Sequence, residues 1–599
     1  MFNRYFNDEL RSLRELGREF AQKHPEAGRL LDEFAYDPDV ERLLEGVAFL
    51  TGRLRQKLDD EIPELSHGLV HLLWPQYLRP TPCTSILEFR PRPGMVKGVQ
   101  RIDRGVLVSS VPRDGTVCTF RTCYPVHMAP MSVVDVRVDR PVAGEPVLVL
   151  ALEVERGAVI EPEDLPALRL HLHGPRRVSA TLYYWLLRKV RSVEVAARNA
   201  EGRDRTWTLA PGSVQPVGWA REETLLEYGD NVVTGHCVLQ EYFTLPEKFL
   251  FVDVGGLETV WHHFDGSALE IRFHLVEDLP RQVRPDRDHV RLHCTPIVNL
   301  FSEHARPIRL DPLQHEFRVQ VDASPQEHYE VYAIEDVTSF ARGTAERKRY
   351  RPVFELEDPL GDEAGERPAY MVSLKPAVTG EEEAVDTYIS LQYPDRVREP
   401  AGDAEGTVGS DTLEYLSIDL VATNRHLPET LKVGDVCKPT ASSPSFATFS
   451  NLLRPTYNAP PPLARSLLWH LISLLGVNVR SLGSPGALRS LLMAYQYPAR
   501  RDRARVQYHR KLLAGLADVR IESRDALFRG HVVRGTNMAL KVHESAFEGD
   551  GDVFLFGSVL QAYLAASCAI NTFVALSISG VEQGLLIEWP GKIGGENLI

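Results

Sequence analysis

Hydrophobic and polar positions divide the chain into regions of different period. Near the start, Phe6, Leu10, Leu13, Leu16 and Phe20 fall on one stripe, predicting a helix that ends at His24-Pro25. A second helix is predicted from Asp37 as cap and Pro38 at its first position, where no amide hydrogen is needed. Its stripe is Val40, Leu43, Leu44, Val47, Leu50, Leu54 and Leu58, with Glu41, Arg42, Glu45, Arg53, Arg55 and Lys57 opposite. Asp59, Asp60, Glu61 and Pro63 break it, and a shorter helix, Leu65 to Trp74, stops at Pro75. From Thr84 the period shortens to strand alternation between Gly, Pro and Asp turns, for example Val147–Val154, Leu168–His173, Val290–Ile297 and Glu316–Val321.

Of three polar stretches in this β-rich part, Asp358–Arg367 and Thr379–Val385 read as solvated turns, and the Gly- and charge-rich Arg396–Asp411 is expected to be mobile. After Pro460-Pro461-Pro462 the pattern mixes periods. Helices are predicted at Leu463–Leu475, Pro485–Met493 and Val553–Ile570, with strands at Asp518–Glu522, Phe528–Val533, Ala539–His543, Phe573–Ile578 and Gly584–Trp589. The expected fold class is multidomain α+β. Its parts are an N-terminal helical segment (1–80), a β-rich domain (81–256), a second β-rich domain with polar loops (257–457) and a C-terminal α+β domain (458–599).

Length supports that division, because 599 residues exceed what one hydrophobic core organises. The net charge of −14, from 68 basic against 82 acidic residues, opposes binding of nucleic acid by counterion release. The local run Arg500, Arg501, Arg503 and Arg505 reads as a solvated loop. Seven scattered cysteines do not make a disulfide framework, and the opening residues form a charged amphipathic helix rather than an apolar leader. Both features predict a reducing, cytoplasmic setting. No charge occurs from Val553 to Val581, but Ser558, Gln561, Ser567, Asn571 and Thr572 interrupt that run, so a buried helix is expected rather than a membrane span.

Candidate chemistry is thin. His67 and His71 share a helix face at metal-ligand spacing, yet Gly68 stands where a zinc protease carries its glutamate, and a third ligand is missing. Cys118/Cys123, His171/His173 and His262-His263 lack matching partners and read as packing residues. Nucleophile-elbow, phosphate-loop and dinucleotide motifs are absent, and GKIGG near the end has no helix after it. Asp59-Asp60 and Asp550/Asp552 read as caps and turns. No catalytic residue, cofactor or metal is predicted. The better-motivated site is a surface for partners: Phe2, Phe6, Leu10, Leu13, Leu16 and Phe20 on the first helix, and Phe49, off the main stripe of the second. The residues alone leave open whether these helices pack on each other or on another protein.

Longer blocks carry a resemblance. RYFNDELRSLRELGREFAQKHPE, DPDVERLLEGVAFLTGRLRQKLDDEIPEL, LLWPQYLRP, EYFTLPEKFLFVDV, CTPIVNLFSEHARPIRLD and ESAFEGDGDVFLFGSVL occur in this order from Arg4 to Leu560. The sequence resembles the TssF (VasA/ImpG) family, a baseplate subunit of the bacterial type VI secretion system. The resemblance implies a structural protein rather than an enzyme. It implies a wedge of two TssF copies with one TssG, joined by TssE and TssK and arranged around the VgrG spike hub beneath the inner-membrane complex, from which tube and contractile sheath grow. Two copies in unequal surroundings would need bendable junctions, and Pro75–Pro82 and Asn458–Pro462 are the candidates. Glu26–Tyr36 is shorter than the family leads one to expect, and Pro82-Cys83-Thr84 differs from its pattern. The alternatives are a wedge protein of a phage-tail-like contractile device and a β-rich hydrolase.

Overall fold

The structure is a computed structural model that describes residues 6, 10–11, 13, 42–43, 45–53 and 68–594, leaving out 143, 199–203, 230–231, 265, 312–313, 342–346, 354–367, 378–383, 393–413, 464–478, 497–500 and 529–530. The chain forms two compact units, Met1–Leu73 with Ala464–Ile472, and Trp74–Leu463 with Ser473–Ile599. In the first unit, all the described residues up to 53 are helical.

The second unit is built from sheets that gather strands from far apart in the chain. One six-stranded sheet places Thr84–Pro91 between Cys294–Val298 and Ala447–Asn451, both antiparallel, in the registers Thr84↔Val298 and Leu87↔Asn451. Leu87, Phe89, Val108, Phe120, Ile297 and Val436 form the core beneath it. A five-stranded sheet joins Val147–Val154 to Ala268–Leu275, and a four-stranded sheet joins Ala167–Leu172 to Phe251–Gly255 and Val290–Leu292. Residues 81–256 and 257–457 therefore share sheets.

Residues 301–423 supply a further sheet that runs from Phe301–His304 to Glu316–Arg318. The bridge Ala305↔Val321 and the bonds Arg306 N to Gln320 O (2.8 Å) and Asp322 N to His304 O (2.8 Å) bring its two ends together, so the sheet closes. Its interior holds Phe317, Val337, Tyr350, Ile389, Leu416 and Ile418. Two of the polar stretches fall wholly outside the described residues, and of Thr379–Val385 only the end is described, where strand Val385–Gln392 begins.

At the C-terminal end, Leu516–Phe528, His531–Val542, Phe573–Gly580 and Leu586–Ile593 form one sheet in that order. The expected strand Phe528–Val533 is instead the meeting point of two strands, paired at Phe528↔His531. Its β-branched residues suit either arrangement, so periodicity alone does not locate the reversal. The helix of the uncharged run spans Asp550–Ala566, with Asp550 and Asp552 in its first turn, and from Val553 onward it is buried all round: Val553, Leu555, Phe556, Val559, Leu560 and Leu564 are each at most 1% exposed. Gly551 makes that burial possible, since a Cβ there would lie 2.2 Å from the carbonyl oxygen of Ala180 on the helix Arg176–Arg188. Among the described residues no helix is long and apolar enough to cross a membrane.

The two proposed junctions are not free linkers. Thr81 and Ala459 exchange backbone hydrogen bonds of 2.7 and 3.0 Å. Gln76, Tyr77 and Leu78 form a buried 3₁₀ turn, and Gln76 Nε2 donates to the Glu227 carbonyl at 2.7 Å. Asn458 donates through its backbone to Glu429 and through Nδ2 to the half-buried Glu330, at 3.0 and 3.1 Å. Proline-rich composition signals a bend in the chain, but the bend here is held by paired backbone and buried side chains.

Candidate partner-docking surface

The helix over 42–53 turns its large apolar residues outward. At about 100° per residue, Leu43, Val47 and Leu50 lie within roughly 60° of one another, while Ala48 and Gly52 lie about 140° to 180° around from Leu43. Ala48 and Gly52 are the buried positions. Leu43 is 69% exposed, Leu50 63% and Val47 39%. The described residues of the stripe face water, and the described buried positions of the helix are small residues. An α-carbon or a single methyl allows close approach of the helix backbone, which larger side chains would prevent. Phe49, off the stripe, is 46% exposed.

The remaining predicted surface residues divide into two groups. Phe6, Leu10 and Leu13 are helical and half-buried, whereas Phe2, Leu16 and Phe20 lie outside the described residues. The same holds for Val40, Leu44, Leu54 and Leu58 of the second helix. The short helix before Trp74 is described over 68–73, where Val70 is buried and Leu69 and Leu72 are 41% and 38% exposed. Helical structure ends one residue before the expected boundary, and Trp74 begins the following turn. Each large side chain of the outward stripe would gain about 1.5–3 kcal/mol on full burial, before the costs of ordering both partners.

The chemical candidates are packing residues where they are described. His171 stacks on Phe251 at 4.4 Å, and burial, then the neighbouring His173, pulls its pKa down to about 3. Cys118 and Cys123 are free and buried, with burial pushing both thiols up to about 12. His67 lies outside the described residues, so its pairing with His71 is not seen. Among the described residues no group of three or more His, Cys, Asp or Glu could hold a metal ion. Asp550 and Asp552 both lie in the first turn of their helix, and Asp552 is in addition fully buried and accepts from Arg176 Nε and Tyr508 Oη at 2.7 Å each.

Sequence reasoning missed the polar pairs that fix the frame of the second unit. Lys248 Nζ bonds Glu241 Oε2 with both side chains almost wholly buried, and Glu241 Oε1 accepts from the Leu225 amide at 2.7 Å. Trp74, Tyr77, His236 and Tyr495 form an aromatic cluster in which Trp74 lies 5.3 Å from each of the other three. Burial lowers His236 to about 4, so it sits there as neutral imidazole against the Tyr495 hydroxyl. The signal for the first pair lay in the segment EYFTLPEKF, where three charges, Glu241, Glu247 and Lys248, stand in an otherwise apolar run.

The family model described as type VI secretion system, TssF, matches residues 1–596. Type VI secretion system component TssF1 of Pseudomonas aeruginosa is 31% identical over 626 aligned positions, covering 98% of this chain and 98% of that protein. A chain from a cryo-electron-microscopy structure of the TssK-TssF-TssG baseplate subcomplex superposes with a TM-score of 0.75 at 27% identity, covering 92% of this chain and 100% of the other. A chain from the baseplate complex of the type VI secretion system gives 0.61 at 26% identity, covering 100% of both.

Proposed function

This chain belongs to the TssF family of the type VI secretion system, and we propose that it serves as a structural subunit of the baseplate wedge whose outward helical stripe docks on TssG. The observation that carries this reading is the orientation of the helix over 42–53. Leu43, Val47 and Leu50 face water while Ala48 and Gly52 face inward, in a chain whose structural counterpart belongs to an assembly with TssK and TssG. A helix that presents its large residues outward is built to be completed by a second apolar helix.

In this reading two copies join one TssG, with TssK and TssE attached and the VgrG hub at the centre. The assembly works at the cytoplasmic face of the inner membrane and carries the growing tube and sheath. The role needs no catalytic group. It needs a frame that holds one geometry, and the buried pairs Lys248–Glu241 and Arg176–Asp552 supply fixed points for it.

Co-expression with TssG followed by light-scattering mass on a sizing column tests the proposal. The expected species contains two copies of this chain per TssG, and the L43D/L50D variant should fail to form it. A monomer that ignores TssG, or a variant that assembles as the parent does, overturns the docking assignment.

A further inference from the structure

Two arginines of the run expected to be a solvated loop, Arg503 and Arg505, lie instead on the helix Arg503–Ala514. Asp502 caps it, its side chain accepting from the amides of Ala504 and Arg505 at 3.0 and 3.1 Å. The inner side of the helix is fixed to its surroundings. Leu512 and Leu513 are buried, and Tyr508 Oη donates to Asp552 Oδ2 at 2.7 Å. Arg505 donates to the Thr244 carbonyl, and the His509 and Phe243 rings meet edge to face at 4.9 Å.

The outer side carries charge of one sign. At about 100° per residue, Arg510, Arg503, Ala514, Gln507 and Lys511 fall within an arc of roughly 100°, and all five are exposed. The helix contains no Asp or Glu. Among the described residues, the side chains of Arg503, Arg510 and Lys511 make no ion pair or hydrogen bond. Cations on an exposed helix are ordinarily balanced by a carboxylate three or four residues away. Arg503 also stands in the first turn, where the positive end of the helix dipole repels it; only Lys511, in the last turn, suits that dipole. The stability of the helix therefore does not account for this face.

We propose that the face of Arg503, Arg510 and Lys511 docks a carboxylate-rich segment of another protein subunit. Charge complementarity names the occupant: three uncompensated cations, spread over about 12 Å of helix axis, match a short row of Asp or Glu side chains. A nucleic acid fits less well, because the net charge of −14 opposes a polyanion and Gln507 is the one uncharged polar side chain on the face that could read a base. A membrane fits less well too, since the apolar residues of this face, Ala504 and Ala514, are too small to insert. The same net charge opposes the approach of a second copy of this chain. The contact is separate from the outward stripe of the helix over 42–53, and it rests on the assembly reading above for the presence of other subunits.

Two experiments test it. The full-length chain is titrated into a fluorescent glutamate-rich peptide and read by anisotropy. Binding should weaken as salt rises, and R503Q/R510Q/K511Q, with the circular dichroism of the parent, should weaken it by about tenfold or more. Binding that is absent, or equal for parent and variant, overturns the proposal. So does stronger competition for the peptide by duplex DNA or phosphatidylglycerol vesicles, which would assign the face to nucleic acid or membrane. In the second experiment the complex with TssG and TssK is treated with a carbodiimide, which joins an amine directly to a carboxylate. Lys511 should be linked to an Asp or Glu of another subunit, and R503Q/R510Q should reduce that link. Lys511 left unlinked in the intact complex overturns the proposal, as does a link to a second, isotope-labelled copy of this chain. Failure of the parent to capture TssG overturns the baseplate reading instead, and the peptide titration still decides this one.

Discussion

Two helical regions of this protein each carry many large apolar residues, one with charges opposite them and one without, and they dispose of those residues in opposite ways. The helix Asp550–Ala566 is buried on every side, between Arg176–Arg188, Thr234–Thr244 and the C-terminal sheet. The helix over 42–53 buries Ala48 and Gly52 and leaves Leu43 and Leu50 in water. An apolar stripe identifies which residues prefer to leave water. It does not identify what covers them, which in the first case is the same chain and in the second is assigned to a partner.

The largest effect is expected from a charge placed in the fully buried helix. Leu560→Asp puts an unpaired carboxylate at a position of 0% exposure and should cost about 5 kcal/mol or more, leaving little folded protein by circular dichroism. Asp552→Asn removes the charge that Arg176 faces in the interior. The loss should be about 3–5 kcal/mol in urea unfolding, because breaking a buried pair strands its partner.

A third prediction concerns pH. Burial holds His171 near 3 and His236 near 4, below the ordinary histidine value, so the unfolded chain binds more protons than the folded chain between roughly pH 6.5 and 4. Stability should therefore fall as pH falls through that window. Each histidine contributes a slope approaching about 1.4 kcal/mol per pH unit. His171→Leu should flatten the acid limb of the unfolding free energy, and an unchanged slope would show that His171 is not among the residues that set it.

The smallest effect on folding is expected at the outward stripe, and that sharpens the comparison most. L43D/L50D should change stability by no more than about 0.5 kcal/mol while abolishing assembly with TssG. A large loss of stability in the isolated chain would place the stripe among self-contacts and erase the distinction between the two helices.

Much of the architecture was legible along the chain. The change from helix period to strand period near Thr84 matches the first strand, Thr84–Pro91, and the uncharged run resolves into the helix Asp550–Ala566. The family blocks were legible too, because long ordered strings carry more information than any single spacing. The proposed docking surface was legible only in part. Phe49 was picked out and is exposed, whereas Leu43, Val47 and Leu50 read as one apolar stripe whose cover stays open, because period alone does not say which side of the helix Ala48 and Gly52 turn inward.

The sequence by itself determined the type of each long element and the chain's membership of a family, since backbone sterics and side-chain period act over a few neighbouring residues. Tertiary structure alone decided which strands share a sheet, as when Thr84–Pro91 pairs with strands some two hundred and more than three hundred residues away. It also decided that Arg176 meets Asp552, 376 positions along the chain. The face of the 42–53 helix left in water belongs to the same class. These outcomes depend on which surfaces remain uncovered once the whole chain has packed, and no local window of residues contains that information.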